Sequence, residues 1–128
     1  MGRTHGAALG RTLLAAFLLA AALAADDHVV GGSVWCIPTN PGLYRAWADN
    51  RTVYVGDNLV FRFETGFYNV VQVSRREYDD CTAADPYQIF SDGPAVVLQA
   101  STGVRYYVCT VGNYCKLGVR LYVTVQPP

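Results

Sequence analysis

The sequence lacks the patterns that usually carry enzymatic chemistry. It has no glycine-rich phosphate loop, no Ser/His/Asp set and no ligand spacing typical of zinc. The charged stretch 75–80 has no histidine or second partner beside it, so we interpret it as a solvated face rather than a catalytic carboxylate pair. Basic and acidic side chains number ten each, which excludes a strongly basic nucleic-acid-binding protein. We therefore expect a protein that is not an enzyme and does not bind nucleic acid.

The main apolar run is too short to cross a membrane. Leu13–Ala22 falls short of the roughly 20 residues that a spanning helix needs. It follows the basic residues Arg3 and Arg11 and ends in small residues, which is the pattern of a cleaved secretory signal. We therefore assign residues 1–25 to a signal peptide and residues 26–128 to one domain outside the cell. No lipid-anchor signal is present in the sequence, so we expect no anchor.

The expected mature domain contains a single histidine and therefore a single imidazole. Of the two histidines in the sequence, His5 lies in the predicted signal peptide, and His28 would be the only one left. A site that needs two imidazole ligands cannot be assembled from that one residue. Cleavage would also remove two of the ten basic residues, so that eight basic side chains face ten acidic ones and the net charge is near −2.

Four cysteines remain in the domain: Cys36, Cys81, Cys109 and Cys115. An even number of cysteines in a small secreted domain indicates disulfides. The sequence Asn50-Arg51-Thr52 is an N-glycosylation sequon on a polar turn between two apolar stretches. We expect Asn50 to carry a glycan and the turn to be exposed.

Short apolar stretches separated by turn residues predict an all-β domain. Apolar and polar residues alternate along Leu59–Glu64 and again along Val119–Val125, as expected for strands with one buried face. Other strands are predicted from Val29 and over 52–55, 68–73, 95–98 and 104–108. Short helices are predicted over Leu43–Ala48 and Ser74–Cys81. About seven strands with intervening turns favour an antiparallel β-sandwich with one or two short helices.

Five stretches of this domain resemble the phytocyanins, the plant branch of the cupredoxins that includes stellacyanins, plantacyanins and early nodulin-like proteins. The stretches are Val29–Ser33 with Trp35, Tyr44–Ala48, Val55–Phe61, Tyr68–Val71 and Tyr107–Val119. The stretch Val55–Phe61 is similar to the VGD.LVF signature of that family. The resemblance covers nearly all of residues 26–128 and implies a cupredoxin-like Greek-key sandwich.

The resemblance also implies where a metal would be held. Copper-binding members use two histidines, a cysteine and an axial methionine or glutamine. Tyr68 and Tyr114 occupy the two histidine positions, Cys109 keeps the cysteine position, and Val119 replaces the axial ligand. A phenol binds metal only as phenolate, and its unperturbed pKa is about 10. We therefore expect no metal and no cofactor, with copper as the alternative.

The family resemblance pairs Cys81 with Cys115 in a disulfide. The remaining cysteines, Cys36 and Cys109, are interpreted as two free buried thiols, and a second disulfide between them stays open as an alternative.

The rings of Phe67, Tyr68 and Tyr114 would gather at the former ligand end. They either fill the space of the lost site or form a patch that stacks on a sugar or packs on a partner protein. Resemblance to the early nodulin-like branch implies a monomeric binding or structural module of the cell wall, apoplast or outer plasma-membrane face. Its partner would be a cell-wall glycan, a glycoprotein or a surface receptor. The alternative is a small blue-copper electron-transfer protein.

Overall fold

The computed structural model describes residues 24–128, which form two β-sheets with helices at their margins. The predicted signal peptide, residues 1–25, lies outside the described part except for its last two residues. None of the helices within residues 24–128 has the length and apolar character needed to cross a membrane.

The described residues contain eight strands and two α-helices. The strands are β1 (Asp27–Val29), β2 (Val53–Tyr54), β3 (Asn58–Phe61), β4 (Val70–Val73), β5 (Gln88–Phe90), β6 (Ala95–Leu98), β7 (Gly103–Val108) and β8 (Arg120–Gln126). The helices are α1 (Leu43–Asp49) and α2 (Arg75–Asp80), and a short 3-10 turn covers Val30–Gly32. The predicted all-β sandwich and both predicted helices are confirmed.

The smaller sheet has the strand order β1-β3-β6, and the larger one β2-β8-β7-β4-β5. The expectation of an antiparallel sandwich is wrong for two pairs, because β1 runs parallel to β3 and β2 runs parallel to β8. Parallel neighbours need a long crossover rather than a hairpin. The segment 30–57, which includes α1, provides that crossover between β1 and β3.

Strand β5 was not predicted from the sequence, and the count rises from about seven strands to eight. It pairs with β4 at the edge of the larger sheet, where Gln88 and Ile89 are exposed. An edge strand of three residues with little burial carries no clear alternation of apolar and polar positions. Its assignment therefore depends on its pairing with β4.

Aromatic rings from both sheets and from α1 form the centre of the core. Trp35 packs edge-on against Phe61 at 5.0 Å between ring centroids and against Tyr44 at 4.8 Å. Gly31 allows this packing, because a Cβ there would lie 2.6 Å from a ring carbon of Tyr44. Its φ of +73° also belongs to the region that glycine adopts without strain. The buried alternation predicted for Leu59 and Phe61, and for β8, is confirmed.

Candidate functional site at one end of the sandwich

The register of β7 and β8 places the residues singled out by the sequence at one end of the larger sheet. The two strands pair from Gly103 opposite Val125 to Val108 opposite Arg120, so Cys109 leaves β7 just where Val119 enters β8. The Cys109 amide donates to the Val119 carbonyl at 3.0 Å. We call this end, with the connecting segment 109–119, the loop end.

Strand β4 brings the first tyrosine to the same place. Val71 of β4 lies opposite Val108 of β7, so Tyr68, just before β4, reaches the loop end. Its ring packs on that of Tyr114 at 5.3 Å between centroids. The four positions that the resemblance assigns to metal ligands therefore lie together in space, although Tyr68 comes from a separate stretch of the sequence.

The segment 109–119 is held in shape by its own backbone. The Tyr114 carbonyl accepts from the amides of Leu117 and Val119, both at 3.0 Å, and the Cys115 carbonyl accepts from Gly118 at 3.0 Å. The Tyr114 amide donates in turn to the Val111 carbonyl at 3.1 Å. These bonds close successive turns and fix the direction of the Tyr114 side chain.

The structure contains the disulfide between Cys81 and Cys115 that the resemblance implies, with 5.7 Å between the two Cα atoms. Ser74 caps the start of α2, its Oγ accepting from the Glu77 amide at 3.2 Å, and Cys81 follows directly after the helix as its C-cap. Arg120 donates to the Tyr78 carbonyl at 3.1 Å and so joins the helix to β8. The disulfide therefore attaches the segment 109–119 to a helix that is itself anchored on the sheet.

The space between the former ligand positions is occupied by side chains. Cys109 is 1% exposed and Val119 is fully buried, and both belong to the main core cluster. Tyr68 and Tyr114 are half-buried and pack against that cluster. The Tyr68 hydroxyl also accepts a hydrogen bond from the Ile37 amide at 3.4 Å. This packing favours the filling of the old site by aromatic rings.

A polar clasp that the sequence did not single out supports the loop end. The Asn69 amide nitrogen donates to Thr110 Oγ1 at 2.8 Å, and the Thr110 backbone amide donates to Asn69 Oδ1 at 2.8 Å. The indole of Trp35 donates to the Asn69 carbonyl at 2.9 Å. Both Asn69 and Thr110 lie next to former ligand positions, but only the fold shows that they bond to each other.

His28 lies at the other end of the sandwich, away from the former ligand positions. Its Nε2 is 2.8 Å from an oxygen of Asp57, which also accepts from the Tyr54 amide. Tyr54 pairs with Gln126, at the far end of β8. The six residues of β7 separate the two ends by roughly 17 Å at the usual strand rise.

Both ring nitrogens of His28 are already engaged. Arg51 lies 3.2 Å from Nδ1, and because a guanidinium only donates, Nδ1 accepts and Nε2–H donates to Asp57. Burial alone would raise the pKa of Asp57, but the hydrogen bonds from the Asp26 amide, His28 and the Tyr54 amide outweigh it and lower that pKa. The cluster is a buried structural network with no nitrogen free for a metal.

The residues of the loop end do not fit a blue-copper centre. Such a centre needs two imidazoles and a thiolate in one plane, and the loop end offers the thiol of Cys109 with two phenols and the hydrocarbon side chain of Val119. Within residues 24–128, no group of three or more histidine, cysteine or acidic side chains is placed to hold a metal.

Cys36 and Cys109 are free thiols in the structure and form no second disulfide there. Cys36 is half-buried and lines an apolar surface cleft of about 480 Å³ with Val34 and Tyr68. Cys109 belongs to the core and lines a different cavity, beside Cys115. The thiols are therefore held in separate surroundings, and Cys36 is less buried than the sequence suggested.

Part of the surface at the loop end is apolar, beside the exposed polar residues Thr110, Asn113 and Lys116. Phe67 is 61% exposed, and Val34, Ile37 and Leu117 are exposed as well. Val34 shares the cleft with Tyr68, and the Ile37 amide bonds to the Tyr68 hydroxyl. Of the three residues predicted to form a patch, Tyr68 and Tyr114 are in ring contact, and Phe67 stands out beside Tyr68.

The sequon lies on an exposed turn, as predicted, at the end of α1. The Asn50 side chain is exposed and donates to the Ala46 carbonyl at 3.1 Å. Glycosylation replaces one of the two hydrogens on this nitrogen, so the bond to Ala46 does not prevent it. Its presence stays a prediction.

A family model described as a plastocyanin-like domain matches residues 35–119. The chain is 34% identical over 115 residues to the blue copper protein of Arabidopsis thaliana, covering 89% of this chain and 59% of that protein. It is 33% identical over 79 residues to stellacyanin of Toxicodendron vernicifluum, covering 62% of this chain and 74% of that one. It is 31% identical over 103 residues to early nodulin-like protein 9 of Arabidopsis thaliana, covering 80% and 51%. The chain thus spans about three fifths of the Arabidopsis blue copper protein.

The fold is similar to solved structures as well. The Cu²⁺ form of cucumber stellacyanin superposes with a TM-score of 0.77 at 29% identity, covering 83% of this chain and 99% of that one. The cucumber basic protein, a blue copper protein, superposes with a TM-score of 0.67 at 25% identity, covering 78% and 99%.

Proposed function

The chain belongs to the phytocyanin family, a family of blue-copper electron-transfer proteins, and from this membership and its altered loop end we propose that it is an extracellular binding or structural module that holds no copper. It acts through contacts rather than through catalysis or electron transfer. Its place is the cell wall, the apoplast or the outer face of the plasma membrane.

One observation carries the proposal: the ligand positions of the family are filled by groups that cannot form the copper plane. Tyr68 and Tyr114 pack ring on ring, Val119 is buried in the core, and the remaining histidine, His28, is engaged at the opposite end. The scaffold around these positions is kept, including the Cys81–Cys115 disulfide. Because the scaffold is kept while the copper-ligand side chains are lost, we favour a role for the surface of the loop end.

That surface has the chemistry of a recognition site. An exposed Phe67 stands beside the half-buried Tyr68–Tyr114 pair, next to an apolar cleft. Aromatic rings supply large contact areas at low entropic cost and are enriched where proteins bind partners. The partner we propose is a cell-wall glycan, a glycoprotein or a surface receptor, bound by a monomer.

Copper addition tests the first half of the proposal. We expect the natural protein, refolded or purified in the presence of Cu²⁺, to show no stoichiometric copper and no intense visible thiolate-to-copper absorption. The matched control is the triple variant Tyr68→His, Tyr114→His, Val119→Met, in which the lost donors are restored on the same scaffold. We expect this variant to gain both signals, and circular dichroism checks that it is folded.

A natural protein that turns blue with bound copper, and loses the metal on Cys109→Ser, would overturn the proposal. That result would support the second candidate, a small copper electron carrier, which is favoured by the names of the relatives.

Binding to wall glycans and surface receptors tests the second half. We expect Phe67→Ala and Tyr68→Ala to weaken capture of the partner, because they remove the exposed ring and one half of the stacked pair. Leu98→Ala is the control, since Leu98 is as exposed as Phe67 but lies on β6 in the other sheet. Equal weakening by all three variants would contradict a site at the loop end.

A further inference from the structure

A second surface depression lies away from the loop end, and we call it the α2 groove. Its volume is about 330 Å³, and its polar and aromatic lining is Gln72, Ser74, Arg75, Tyr87, Arg105 and Tyr106. These residues come from the end of β4, the start of α2, the segment before β5 and the first half of β7. No motif of the sequence brings them together.

The α2 groove contains positive charge without a carboxylate in its lining. Arg105 is held in place by donating to the carbonyls of Ser101 at 3.0 Å, Thr102 at 3.3 Å and Val104 at 3.4 Å, and to the Ser101 hydroxyl. The ion pairs found among residues 24–128 do not include Arg105. Its charge is therefore positioned by neutral oxygens and is available to an anion.

Arg75 supplies a second, more mobile guanidinium. Its side chain is 79% exposed and lies 4.0 Å from Asp79 in an i,i+4 pair. An exposed pair at this distance is weak, so Arg75 can turn toward a ligand at little cost. Two arginines in the lining of one depression suit a carboxylate, which a guanidinium can bind with two parallel hydrogen bonds.

The α2 groove also offers an aromatic face and neutral polar groups. Tyr87 is 70% exposed, yet its backbone is fixed by a 2.8 Å hydrogen bond from its amide to the Gln72 carbonyl. Tyr106 is half-buried at the other side of the groove and packs on Tyr78 at 5.4 Å. The Ser74 hydroxyl accepts from the Glu77 amide, which leaves its hydrogen free to donate.

We propose that the α2 groove binds the uronate units of an acidic polysaccharide. The sugar carboxylate lies between Arg75 and Arg105, the apolar face of the ring rests on Tyr87, and the hydroxyls bond to Gln72 and Ser74. A pyranose with a carboxylate uses the cations, the ring and the neutral polar groups at once. An acidic peptide would use only the cations, which is why the sugar is the favoured occupant.

The test measures binding of a short oligogalacturonate by chemical-shift perturbation and calorimetry, with its methyl ester as the uncharged probe. We expect the acid to bind at the groove, the ester to bind at least about tenfold more weakly, and the affinity to fall as salt is raised. Arg75→Gln should weaken binding about fivefold to tenfold. Arg76→Gln is the matched control, because Arg76 is the next residue of α2, is exposed as well and forms the same kind of i,i+4 pair, with Asp80, but lies outside the lining.

A second pair of variants tests the stacking surface. Tyr87→Ala should weaken binding, whereas Ile89→Ala, two residues further along, should not, since Ile89 is exposed but outside the lining. Equal binding of acid and ester, or equal effects of Arg75→Gln and Arg76→Gln, would overturn the assignment. Tighter binding of a glutamate-rich peptide that ignores Tyr87→Ala would also overturn it, in favour of a protein partner.

The α2 groove and the loop end are tested separately. The oligogalacturonate should shift the NMR signals of Arg75, Tyr87 and Arg105 in the groove, and not those of Phe67 and Tyr114 at the loop end. Shifts confined to Phe67 and Tyr114 would place the uronate at the loop end and refute the groove, whether or not the natural protein binds copper.

Discussion

Removal of the Cys81–Cys115 bond should destabilise the domain by several kcal/mol. The double variant Cys81→Ala, Cys115→Ala is the right perturbation, because a single substitution would leave a thiol free to exchange. The bond joins the end of α2 to the segment 109–119 and lies beside the small cluster of Val71, Val73 and Val108. Its loss should therefore act mainly on the unfolded chain and to a lesser degree on local packing.

The magnitude follows from the length of chain that the bond closes. The two cysteines are separated by 34 positions. For a closed loop of that size the chain-entropy relation gives about −13 cal/mol/K, or about 3.8 kcal/mol at 25 °C. Domains of this size have free energies of unfolding of about 5–15 kcal/mol. The variant should thus lose a quarter or more of its stability and unfold at clearly lower denaturant concentration.

Guanidinium unfolding, followed by tryptophan fluorescence, measures the effect. An entropic mechanism also predicts a larger dependence of the free energy on denaturant, since the unfolded variant exposes more surface than the cross-linked chain. Cys36→Ser is the control, because it removes a half-buried cysteine without breaking a bond. It should change the free energy of unfolding by less than about 1 kcal/mol.

A loss below about 1 kcal/mol in the double variant, with unchanged denaturant dependence, would refute this reasoning. It would mean that the unfolded chain already keeps residues 81 and 115 close together without the bond.

Three further predictions concern single sites. Gly118→Ala should lower the free energy of unfolding by about 2–4 kcal/mol in a thermal or denaturant assay, because φ is +112° and the new Cβ would lie 2.9 Å from a proline Cα. Gly32→Ala is the control, because Gly32 has φ +79° but open space around it, so only the conformational cost should remain. Equal losses of stability in the two variants would contradict the clash at Gly118. The lowered pKa of Asp57 predicts a contribution to stability that is fully present above about pH 4 and is lost as the pH falls through the folded-state pKa. Asp57→Asn should reduce the dependence of the free energy of unfolding on pH in this range. An unchanged dependence would assign it to other carboxyl groups. In the folded state an alkylating reagent should label Cys36 well before Cys109, which is 1% exposed, and rapid labelling of Cys109 would show that the loop end opens.

Much of the fold could be predicted from local patterns. The alternation in Val119–Val125 and at Leu59 and Phe61 marks buried strand faces that the structure confirms, and both helices lie where they were expected. The strand predicted to continue to Glu64 ends at Phe61, and Phe63 is only half-buried. The parallel pairings of β1 and β2 could not be predicted, because periodicity defines which face of a strand is buried but not which neighbour it takes. The edge strand β5 was not predicted, because it has almost no buried face and so shows no alternation of apolar and polar residues.

The candidate site divides in the same way. The resemblance of Tyr107–Val119 and of the stretch around Tyr68 to the phytocyanins was enough to name the former ligand positions, and the same resemblance paired Cys115 with Cys81. The clasp between Asn69 and Thr110 joins residues 41 positions apart, and only the register of β4 on β7 creates it. The α2 groove could not be predicted from the sequence either, where Arg75 was interpreted as part of a solvated charged face.

The sequence by itself determined which donor atoms this domain can offer, because composition is independent of folding: one imidazole in residues 26–128, and a thiol at Cys109 without the histidines that would accompany it. The tertiary structure decided where those groups lie. It placed His28 against Asp57 at the far end, packed Tyr68 on Tyr114, and gathered distant arginine and tyrosine residues into one groove. Such juxtapositions depend on strand pairing between residues tens of positions apart, and pairing of that kind is set by burial of the whole core rather than by any local stretch.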